Sequence, residues 1–540
     1  MSLHKTAAAA FVALAVPFAL GGSVANATPS AAMKLNSAAK KSPNRTVVAL
    51  TQFKPGVSEK RARAIVRSHH GRITDNLPAI GGFAVKLPAK QARSLKGAKG
   101  VLNVTLNTKV KTTAVENAPG LQTTFTQSVG ANALNAQGLT GKGVGVAVID
   151  SGISGDHPDF KNADSSSRIT NVVVNPAAVL PGDPIGHGTH VAGIIAGNSS
   201  NRADGDPDKG AYMGVAPEAD IIALKTADDL GNSTVLDVIN ALQFVVDYRT
   251  DLNIQVVNLS ISSDTPGSYR DDPLDAAVEF AWHAGIVVVA AVGNRGDAAD
   301  AAQYAPGNDP FVISVGAADE QGTVDTADDT LADFSSRGVT QDGFNKPDVV
   351  APGAHMTAPL APLGAFSVMC PTCITPDLQY FKMGGTSMAA PVVAGAAALL
   401  LQARPDLNPD QVKALLAGGS GPLNELDVQK ALAGNPGAGA NRGVRQSDAV
   451  YQTLVAYGMD PSRADWTKAS WTKASWTKAS WTKASWTKAS WTSQTNAPWA
   501  KATWTCGTCA LVNAAATVLT RSSWSKSSWS KSSWASHPGW

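Results

Sequence analysis

The chain has 540 residues, of which 44% are hydrophobic and 16% are charged, and its formal net charge is +3. This length and composition predict a folded protein with more than one domain. Outside the first thirty positions, no window holds the 18 or more uninterrupted apolar residues of a membrane span, which excludes a multi-pass membrane protein.

The net charge conceals three segments of different sign. Residues 1–113 carry 18 basic and two acidic residues, residues 114–465 carry 18 and 40, and residues 466–540 carry nine and none. The long middle segment is therefore the acidic one. Because a nucleic-acid-binding domain concentrates basic charge on its folded body, we expect no nucleic-acid partner.

The N-terminus has the three parts of a secretory signal peptide. His4 and Lys5 supply positive charge, an apolar run follows, and Ala25-Asn26-Ala27 has the small residues of a cleavage site. We predict a signal peptide over residues 1–27 and a secreted, extracellular protein. A single membrane anchor is the alternative.

The four cysteines form two C-x-x-C pairs, Cys370/Cys373 and Cys506/Cys509. In an exported protein they are expected to be oxidised, and local bridges within each pair require no long loop closure. A zinc site that joins both pairs is the alternative.

Three further segments precede or follow the central region. Residues 46–113 alternate strand-like and helical patterns, which predicts a small α+β unit with strands at 46–50 and 82–87 and helices at 59–70 and 90–96. Residues 436–465 are predicted to be a linker. Residues 466–540 form a repeat tail that contains five Trp-Thr-Lys-Ala-Ser units and twelve of the thirteen tryptophans, and a five-residue period gathers them on no single face of a helix or strand.

The central region, at about residues 130–435, alternates apolar runs with helical stretches. This pattern predicts an α/β domain in which a mostly parallel sheet is covered by helices on both faces. The predicted strands are 143–149, 220–224, 256–261, 286–291 and 311–315, with helices at 233–248 and 274–283 between them. Functional residues are expected at the carboxyl ends of such strands.

Three places in this domain fit a nucleophilic hydrolase. Asp150 ends a buried strand, where its carboxylate could orient a histidine. His187 lies in Gly186-His-Gly-Thr-His190-Val-Ala-Gly at the start of a helix. Ser387 lies in Gly384-Gly-Thr-Ser-Met-Ala-Ala-Pro ahead of an apolar helix, where backbone N–H groups could stabilise an oxyanion.

At these residues the sequence resembles the subtilisin-like serine peptidases. Asp150-Ser-Gly, His187-Gly-Thr-His-Val-Ala-Gly and Gly385-Thr-Ser-Met-Ala-Ala-Pro are similar to that family's three active-site blocks, in the family's order. The resemblance implies a serine endopeptidase with Ser387 as nucleophile, His187 as general base and Asp150 as its orienting group. It further implies that Asn294 donates to the oxyanion and that the strand Ser260-Ile261-Ser262 binds the substrate backbone.

The resemblance also extends to features around the catalytic domain. Residues 46–113 are similar to the family's inhibitor-type propeptide, which implies a self-processing precursor cut near Lys111–Ala114 and inhibited by its own propeptide. No cofactor is expected to be required for catalysis, and no metal residues are assigned. Asp159 resembles a calcium-ligand position, with an acidic loop at Asp204, Asp206 and Asp208, so a structural calcium is a further expectation.

The sequence also bears on a different hydrolase fold and on a non-enzymatic protein. An α/β-hydrolase needs its histidine after the nucleophile, and only His537 follows Ser387, within the repeat tail. His190 and His157 are predicted to be structural. The tryptophan and lysine residues of the tail suit stacking on sugars or bases, or contact with an anionic cell envelope, with a tail that binds nothing as the alternative. A non-enzymatic alternative is a surface or cell-wall binding protein with an inactive peptidase body.

Overall fold

The computed structural model describes residues 30–112, 124–199, 205, 209–210, 212–375, 377–456, 510–512 and 518–519. The predicted signal peptide, the second cysteine pair, the acidic loop residues Asp204, Asp206 and Asp208, and nearly all of the repeat tail lie outside these residues.

Residues 30–112 form an N-terminal unit around a four-stranded antiparallel sheet with the order β2-β3-β1-β4. Its elements are α1 (Ala31–Lys41), β1 (Thr46–Phe53), α2 (Glu59–Ser68), β2 (Arg72–Leu77), β3 (Gly82–Pro88), α3 (Ala89–Lys96), β4 (Val101–Leu106) and β5 (Lys109–Thr112). The predicted strands and helices of this segment coincide with β1, α2, β3 and α3.

The sheet of the N-terminal unit is buried on both faces. Ala49 pairs with Val85, and both belong to a small core that the unit forms with its own helices. Leu50 and Ala84, one residue further along each strand, pack instead into the core of the large domain. Since side chains alternate between the two faces of a strand, one face of the sheet holds the unit together and the other docks it.

The large domain begins at residue 124 and contains most of the remaining elements. They are α4 (Phe125–Ser128), α5 (Ala131–Asn135), β6 (Gly145–Asp150), β7 (Ile169–Val173), α6 (His187–Ala196), β8 (Asp220–Lys225), β9 (Ser233–Thr234), α7 (Val235–Tyr248), β10 (Ile254–Leu259), β11 (Ile261–Ser263), α8 (Pro273–His283), β12 (Val287–Ala291), β13 (Ile313–Asp319), β14 (Thr330–Leu331), β15 (Gly338–Val339), β16 (Asn345–Lys346), β17 (Val349–Pro352), β18 (Met356–Pro359), α9 (Ala365–Met369), β19 (Tyr380–Met383), α10 (Thr386–Ala403), α11 (Pro409–Leu416), α12 (Val428–Ala433) and α13 (Asp448–Ala456). Two short strands, β20 (Ala510–Val512) and β21 (Val518–Leu519), follow in the tail.

Parallel pairing joins seven strands of the main sheet, in the order β17, β13, β12, β10, β6, β8 and β7. β14 and β20 pair antiparallel at the edges, and β21 pairs with β20. Helices pack on the sheet, and its parallel strands are almost entirely buried because both faces are covered. The prediction of an α/β domain with a mostly parallel sheet is confirmed.

The helix α10 passes through the middle of the large domain. It begins at Thr386, whereas the sequence predicted a helix over the apolar run 392–401, and it contains Pro391. Among the described residues it is the one helix long and apolar enough to cross a membrane, and 89% of that stretch is buried inside the protein. It is therefore a core helix of this domain.

The segment predicted to be a linker is partly built into the domain, and we call residues 441–456 the C-terminal strap. The Tyr269 hydroxyl donates to the Arg445 carbonyl at 2.7 Å, and the Ser447 N–H donates to both carboxylate oxygens of Glu279 at 2.9 Å. This part of the predicted linker is thus attached to the large domain. These polar bonds join the strap to distant residues, and the buried side chains of Ala449 and Val450 add apolar contacts with the large core.

A group of carboxyl groups is buried beneath α8. Asp275, Glu279 and Asp309 are all 0% exposed, and Lys346 and Lys413 carry the positive charges nearest to Asp309. Desolvation by burial raises the pKa of all three carboxyls, and for Asp309 the value is about 7. Burial therefore favours the protonated forms, which avoids several uncompensated buried charges.

Candidate active site

Asp150 is the last residue of β6, an inner strand of the parallel sheet that lies between β10 and β8. Every residue of β6 is buried, and Asp150 itself is 2% exposed. The Ser151 N–H donates to its Oδ1 at 2.7 Å. The Asp150 carboxylate thus lies at the C-terminal ends of the parallel strands, where α/β proteins place functional groups.

His187 begins the helix α6 directly beside this carboxylate. Its Nδ1 lies 2.7 Å from Asp150 Oδ1 and 2.9 Å from Oδ2, and its ring is completely buried. The next residue, Gly188, makes this approach feasible, since a Cβ there would lie 2.2 Å from the Gly152 carbonyl oxygen. Because Nδ1 donates to Asp150, Nε2 is the basic nitrogen of the neutral ring.

Asp183 is a buried carboxylate at this site that the sequence did not reveal. Its Oδ1 accepts hydrogen bonds from the Ser151 hydroxyl at 2.9 Å and from the Gly186 N–H at 2.8 Å. Its Oδ2 accepts from both the N–H and the hydroxyl of Thr189, each at 2.8 Å. Asp183 therefore ties the loop after Asp150 to the first turn of the helix that carries His187. An aspartate four residues before a glycine-rich helix start was the available signal.

Ser387 is the second residue of α10 and is completely buried. Its Oγ donates to the Ser260 carbonyl at 2.9 Å, and the Ser260 hydroxyl donates to the Ser387 carbonyl at 2.8 Å. The second bond has a local cause: Pro391 has no N–H, so the Ser387 carbonyl lacks its usual helical donor. His187 Nε2 has no hydrogen-bond partner among the described residues.

Asn294 follows β12 and faces the start of α10. Its Oδ1 accepts from the Thr386 N–H at 3.0 Å and from the Thr386 hydroxyl at 2.9 Å. These two bonds fix the orientation of the side-chain amide: the oxygen faces Thr386, and the NH₂ group points to the other side. The structure thus brings Asn294 to the residue that precedes Ser387.

The predicted substrate-binding strand divides into two parts. Leu259 ends β10, and Ser260 interrupts the strand and contacts Ser387. Ile261 and Ser262 then belong to β11, which pairs antiparallel with Thr112 and Lys111 of β5. On its other side β5 pairs with β9, so the end of the N-terminal unit lies as the middle strand of a three-stranded sheet.

The two other histidines near the site have structural surroundings. His190 Nε2 lies 2.9 Å from the Phe381 carbonyl oxygen and 3.1 Å from that of Met356, and burial lowers its pKa to about 3, so the neutral ring donates there. His157 accepts the Asp159 N–H at Nδ1 and contacts the Gln379 carbonyl through Nε2.

At the predicted calcium position, the Asp159 carboxylate accepts hydrogen bonds from a neighbouring side chain. The Tyr380 hydroxyl donates to the Asp159 carboxylate, at 3.2 Å from Oδ1 and 3.1 Å from Oδ2, and burial raises the pKa of that carboxyl. In the described part of the chain no three His, Cys, Asp or Glu residues are arranged to hold a metal ion. The predicted partners Asp204, Asp206 and Asp208 lie outside the described ranges, so a structural calcium at Asp159 stays a prediction.

A hairpin formed by β18, β19 and the residues between them, 356–383, adjoins the site and leads directly to Ser387. Its tip carries α9 and the Cys370–Cys373 disulfide, which confirms the predicted pairing of those two cysteines. The Phe366 N–H donates to the Ile185 carbonyl at 3.1 Å, and the Phe366 ring lies 6.2 Å from the His187 ring, centroid to centroid.

Comparison with known proteins identifies the relatives of this chain. The family model described as "Subtilase family" matches residues 141–432. The chain is 40% identical to serine protease AprX of Bacillus subtilis over 304 residues, which cover 54% of this chain and 64% of AprX. It is 30% identical to subtilisin E of the same organism over 71% of this chain and 86% of subtilisin E.

A solved structure has the same fold. The crystal structure of fervidolysin from Fervidobacterium pennivorans, a keratinolytic enzyme related to subtilisin, superposes with a TM-score of 0.55 at 24% identity and covers 73% of this chain. The matched part spans slightly less than two thirds of AprX and of fervidolysin, 64% and 61% of their lengths. From the family match, the identities and the shared fold, we conclude that this chain belongs to the subtilase family.

Proposed function

We propose that this chain is the precursor of a secreted subtilisin-like serine endopeptidase that hydrolyses peptide bonds through Asp150, His187 and Ser387. The observation that carries the proposal is the buried contact of 2.7 Å between His187 Nδ1 and Asp150 Oδ1. Because Nδ1 donates to Asp150, Nε2 remains as the proton-accepting nitrogen. The resemblance to the family assigns the role of nucleophile to Ser387, at the start of α10. The relatives named as proteases support the same reaction.

In the proposed reaction, Ser387 Oγ leaves the Ser260 carbonyl and attacks the carbonyl carbon of the peptide bond. His187 Nε2 accepts the hydroxyl proton, and Asp150 stabilises the resulting imidazolium. The tetrahedral adduct then releases the amine, which takes that proton from His187, and leaves an acyl group on Ser387. Water then attacks the acyl group while His187 Nε2 accepts its proton. The acid is released as Ser387 Oγ takes that proton back from His187.

The negative charge of the tetrahedral adduct needs donors that are already in place. The Ser387 N–H, at the first turn of α10, and the Asn294 NH₂ group are the proposed donors. The two bonds from Thr386 to Asn294 Oδ1 support this role because they hold the amide with its NH₂ group turned away from Thr386. Loss of one such donor typically lowers kcat by about 10²–10³-fold.

The N-terminal unit is proposed to be the propeptide and intramolecular inhibitor. Its strand β5 pairs with Ile261–Ser263 as an extended substrate would, with Val110 opposite Ser263 and Thr112 opposite Ile261. β5 ends at Thr112 opposite Ile261, and the residue before Ile261 is Ser260, whose carbonyl contacts Ser387. We therefore propose that self-cleavage occurs just after β5, near the predicted interval Lys111–Ala114.

Charge contributes to this docking. The Lys34 ammonium lies 2.9 Å from Asp264 Oδ1 and also contacts Thr265, in the loop that follows β11. The positive segment before residue 114 faces a catalytic region of net charge −22. Because salt screens such attractions, inhibition by the cleaved propeptide should weaken as the salt concentration rises. Inhibition that is independent of salt would contradict this part of the proposal.

The repeat tail is proposed to hold the secreted enzyme at the cell envelope. Its sequence combines twelve tryptophans with nine basic residues and no acidic ones, which suits stacking on sugars and attraction to anionic polymers. A fusion of residues 466–540 to an unrelated protein should be retained on cell-wall material. A fusion that is washed off as readily as its carrier alone would refute the binding role and leave the peptidase proposal intact.

The intact mass of the secreted protein, wild type beside Ser387→Ala, tests the central proposal. If Ser387 is the nucleophile, the wild type alone loses a fragment that ends near residue 113, and it cleaves a generic protein substrate. If neither protein is cut and no substrate is cleaved, the alternative of an inactive peptidase body on a binding protein is favoured. Trimming of both proteins would assign maturation to another protease.

A further inference from the structure

The structure assigns a second substrate contact to the tip of the 356–383 hairpin: we infer that it recognises apolar side chains on the C-terminal side of the cleaved bond. This inference rests on the proposed function, because it concerns the substrate of the same site. It depends on where the hairpin lies and on which of its side chains are exposed.

The hairpin tip is fixed next to His187 by backbone contacts. The Ala365 N–H donates to the Pro184 carbonyl at 2.9 Å, and the Phe366 N–H donates to the Ile185 carbonyl at 3.1 Å. These carbonyls precede His187 by three and two residues. The base of the hairpin is fixed as well, because the buried His190 ring contacts the carbonyl oxygens of Met356 and Phe381. The tip is thus held at one end of the cleft.

The other end of the cleft is occupied by β5. The space beside β5 is lined by residues of the loops after β6 and β8 and by β9 and β11, and the described lining includes no residue of the hairpin. β5 runs from Val110 opposite Ser263 to Thr112 opposite Ile261, toward Ser260 and Ser387. A substrate in the same direction would pass Ser387 and leave the cleft on the side of His187 and the hairpin. The residues after the cleaved bond are therefore the ones that meet the tip.

The hairpin tip carries an unusual amount of exposed apolar surface. Leu363 is 93% exposed, Val368 74%, Leu378 68% and Met369 64%. Exposed apolar groups concentrated in one segment mark a binding surface more often than isolated ones do. The Cys370–Cys373 disulfide lies between these side chains along the chain and limits the freedom of the tip. Because the tip adjoins the cleft next to His187, the ligand of this apolar surface is an extended segment of the substrate.

The test compares two internally quenched peptides that share all residues before the cleaved bond. One carries leucine and phenylalanine at the second and third positions after the bond, and the other carries serine and asparagine. The enzymes are the mature wild type, the variant Leu363→Ser/Val368→Ser/Met369→Ser and the control Val324→Ser. Val324 is also exposed, at 46%, and lies in the loop between β13 and β14.

We expect the wild type and Val324→Ser to prefer the apolar peptide by about tenfold in kcat/KM, as the burial of one or two apolar side chains allows. The triple variant should reduce this preference to about twofold or less, mainly through KM. A preference that survives in the triple variant, or is absent from the wild type, overturns the inference.

A peptide p-nitroanilide, which has no residue after the cleaved bond, separates this result from the proposed function. The wild type and the triple variant should hydrolyse it with equal kcat/KM. Failure of the wild type to cleave any of the three substrates would overturn the proposed function, and this inference with it. Hydrolysis of the p-nitroanilide together with equal rates on both peptides would overturn the inference alone.

Discussion

Replacing Asp183 by asparagine should disturb the junction between Asp150 and His187 without touching either residue. The Asp183 carboxylate accepts bonds from Ser151, Gly186 and Thr189. Asparagine keeps the size of the side chain, but one of its two ends becomes an NH₂ group that cannot accept. In either orientation of the amide, at least one buried backbone N–H loses its acceptor and faces another donor.

The magnitude follows from these bonds. A buried donor left without a partner costs about 1–3 kcal/mol, and bonds to a charged acceptor are each about 1 kcal/mol stronger than neutral ones. We therefore expect Asp183→Asn to lower the free energy of unfolding by about 2–4 kcal/mol. A displaced helix start would also misplace His187, so kcat should fall by about ten- to a hundredfold.

Urea unfolding in the Ser387→Ala background, which prevents self-digestion, measures the first effect, and hydrolysis of a p-nitroanilide by the otherwise wild-type enzyme measures the second. Asp164→Asn is the matched control, because the Asp164 carboxylate is exposed and accepts bonds from the neighbouring Ser166. An Asp183→Asn protein within about 0.5 kcal/mol of the control, with unchanged kcat, would refute the role assigned to this carboxylate.

Three further predictions concern pH, docking and the C-terminal strap. Burial raises the folded-state pKa of Asp309 to about 7, so its contribution to stability is fully present below the unfolded pKa of about 4 and is lost as the pH rises through 7. Asp309→Asn should therefore flatten the fall in the thermal unfolding midpoint between pH 4 and 7. A midpoint that falls with pH as steeply as in the wild type would contradict this. Ile80→Asp places a charge where the N-terminal unit packs on the large domain, so trypsin should cut that unit faster in the Ser387→Ala precursor; equal rates would argue against this interface. A chain that ends after Ala440 lacks the Ser447 donor of Glu279, whereas a chain that ends after Ala456 keeps it. The shorter chain should have a thermal unfolding midpoint lower by about 2 °C or more. Equal midpoints would show that the strap contributes no stability.

The sequence predicted the parts of the site that depend on short-range patterns. An apolar run that ends in Asp150 predicts a buried strand with a carboxylate at its edge. Gly-His-Gly at 186–188 and Gly-Thr-Ser at 385–387 each predict the start of a helix. These features rely on residues within one element, and the family resemblance added their roles. The alternating apolar residues of the N-terminal unit likewise predicted its strands.

Contacts between residues distant in sequence required the folded chain. The reciprocal bonds between Ser260 and Ser387, the anchoring of Phe366 beside His187, and the attachment of Ser447 to Glu279 each join segments more than 100 residues apart. A local pattern of apolar and polar residues records whether a side chain is buried, but a buried polar group is satisfied by whichever donor the packing brings to it. The sequence by itself therefore determined the α/β class, the motifs and their order, whereas only the tertiary structure decided which groups hold the motifs together, because those bonds form when separate elements pack against one another.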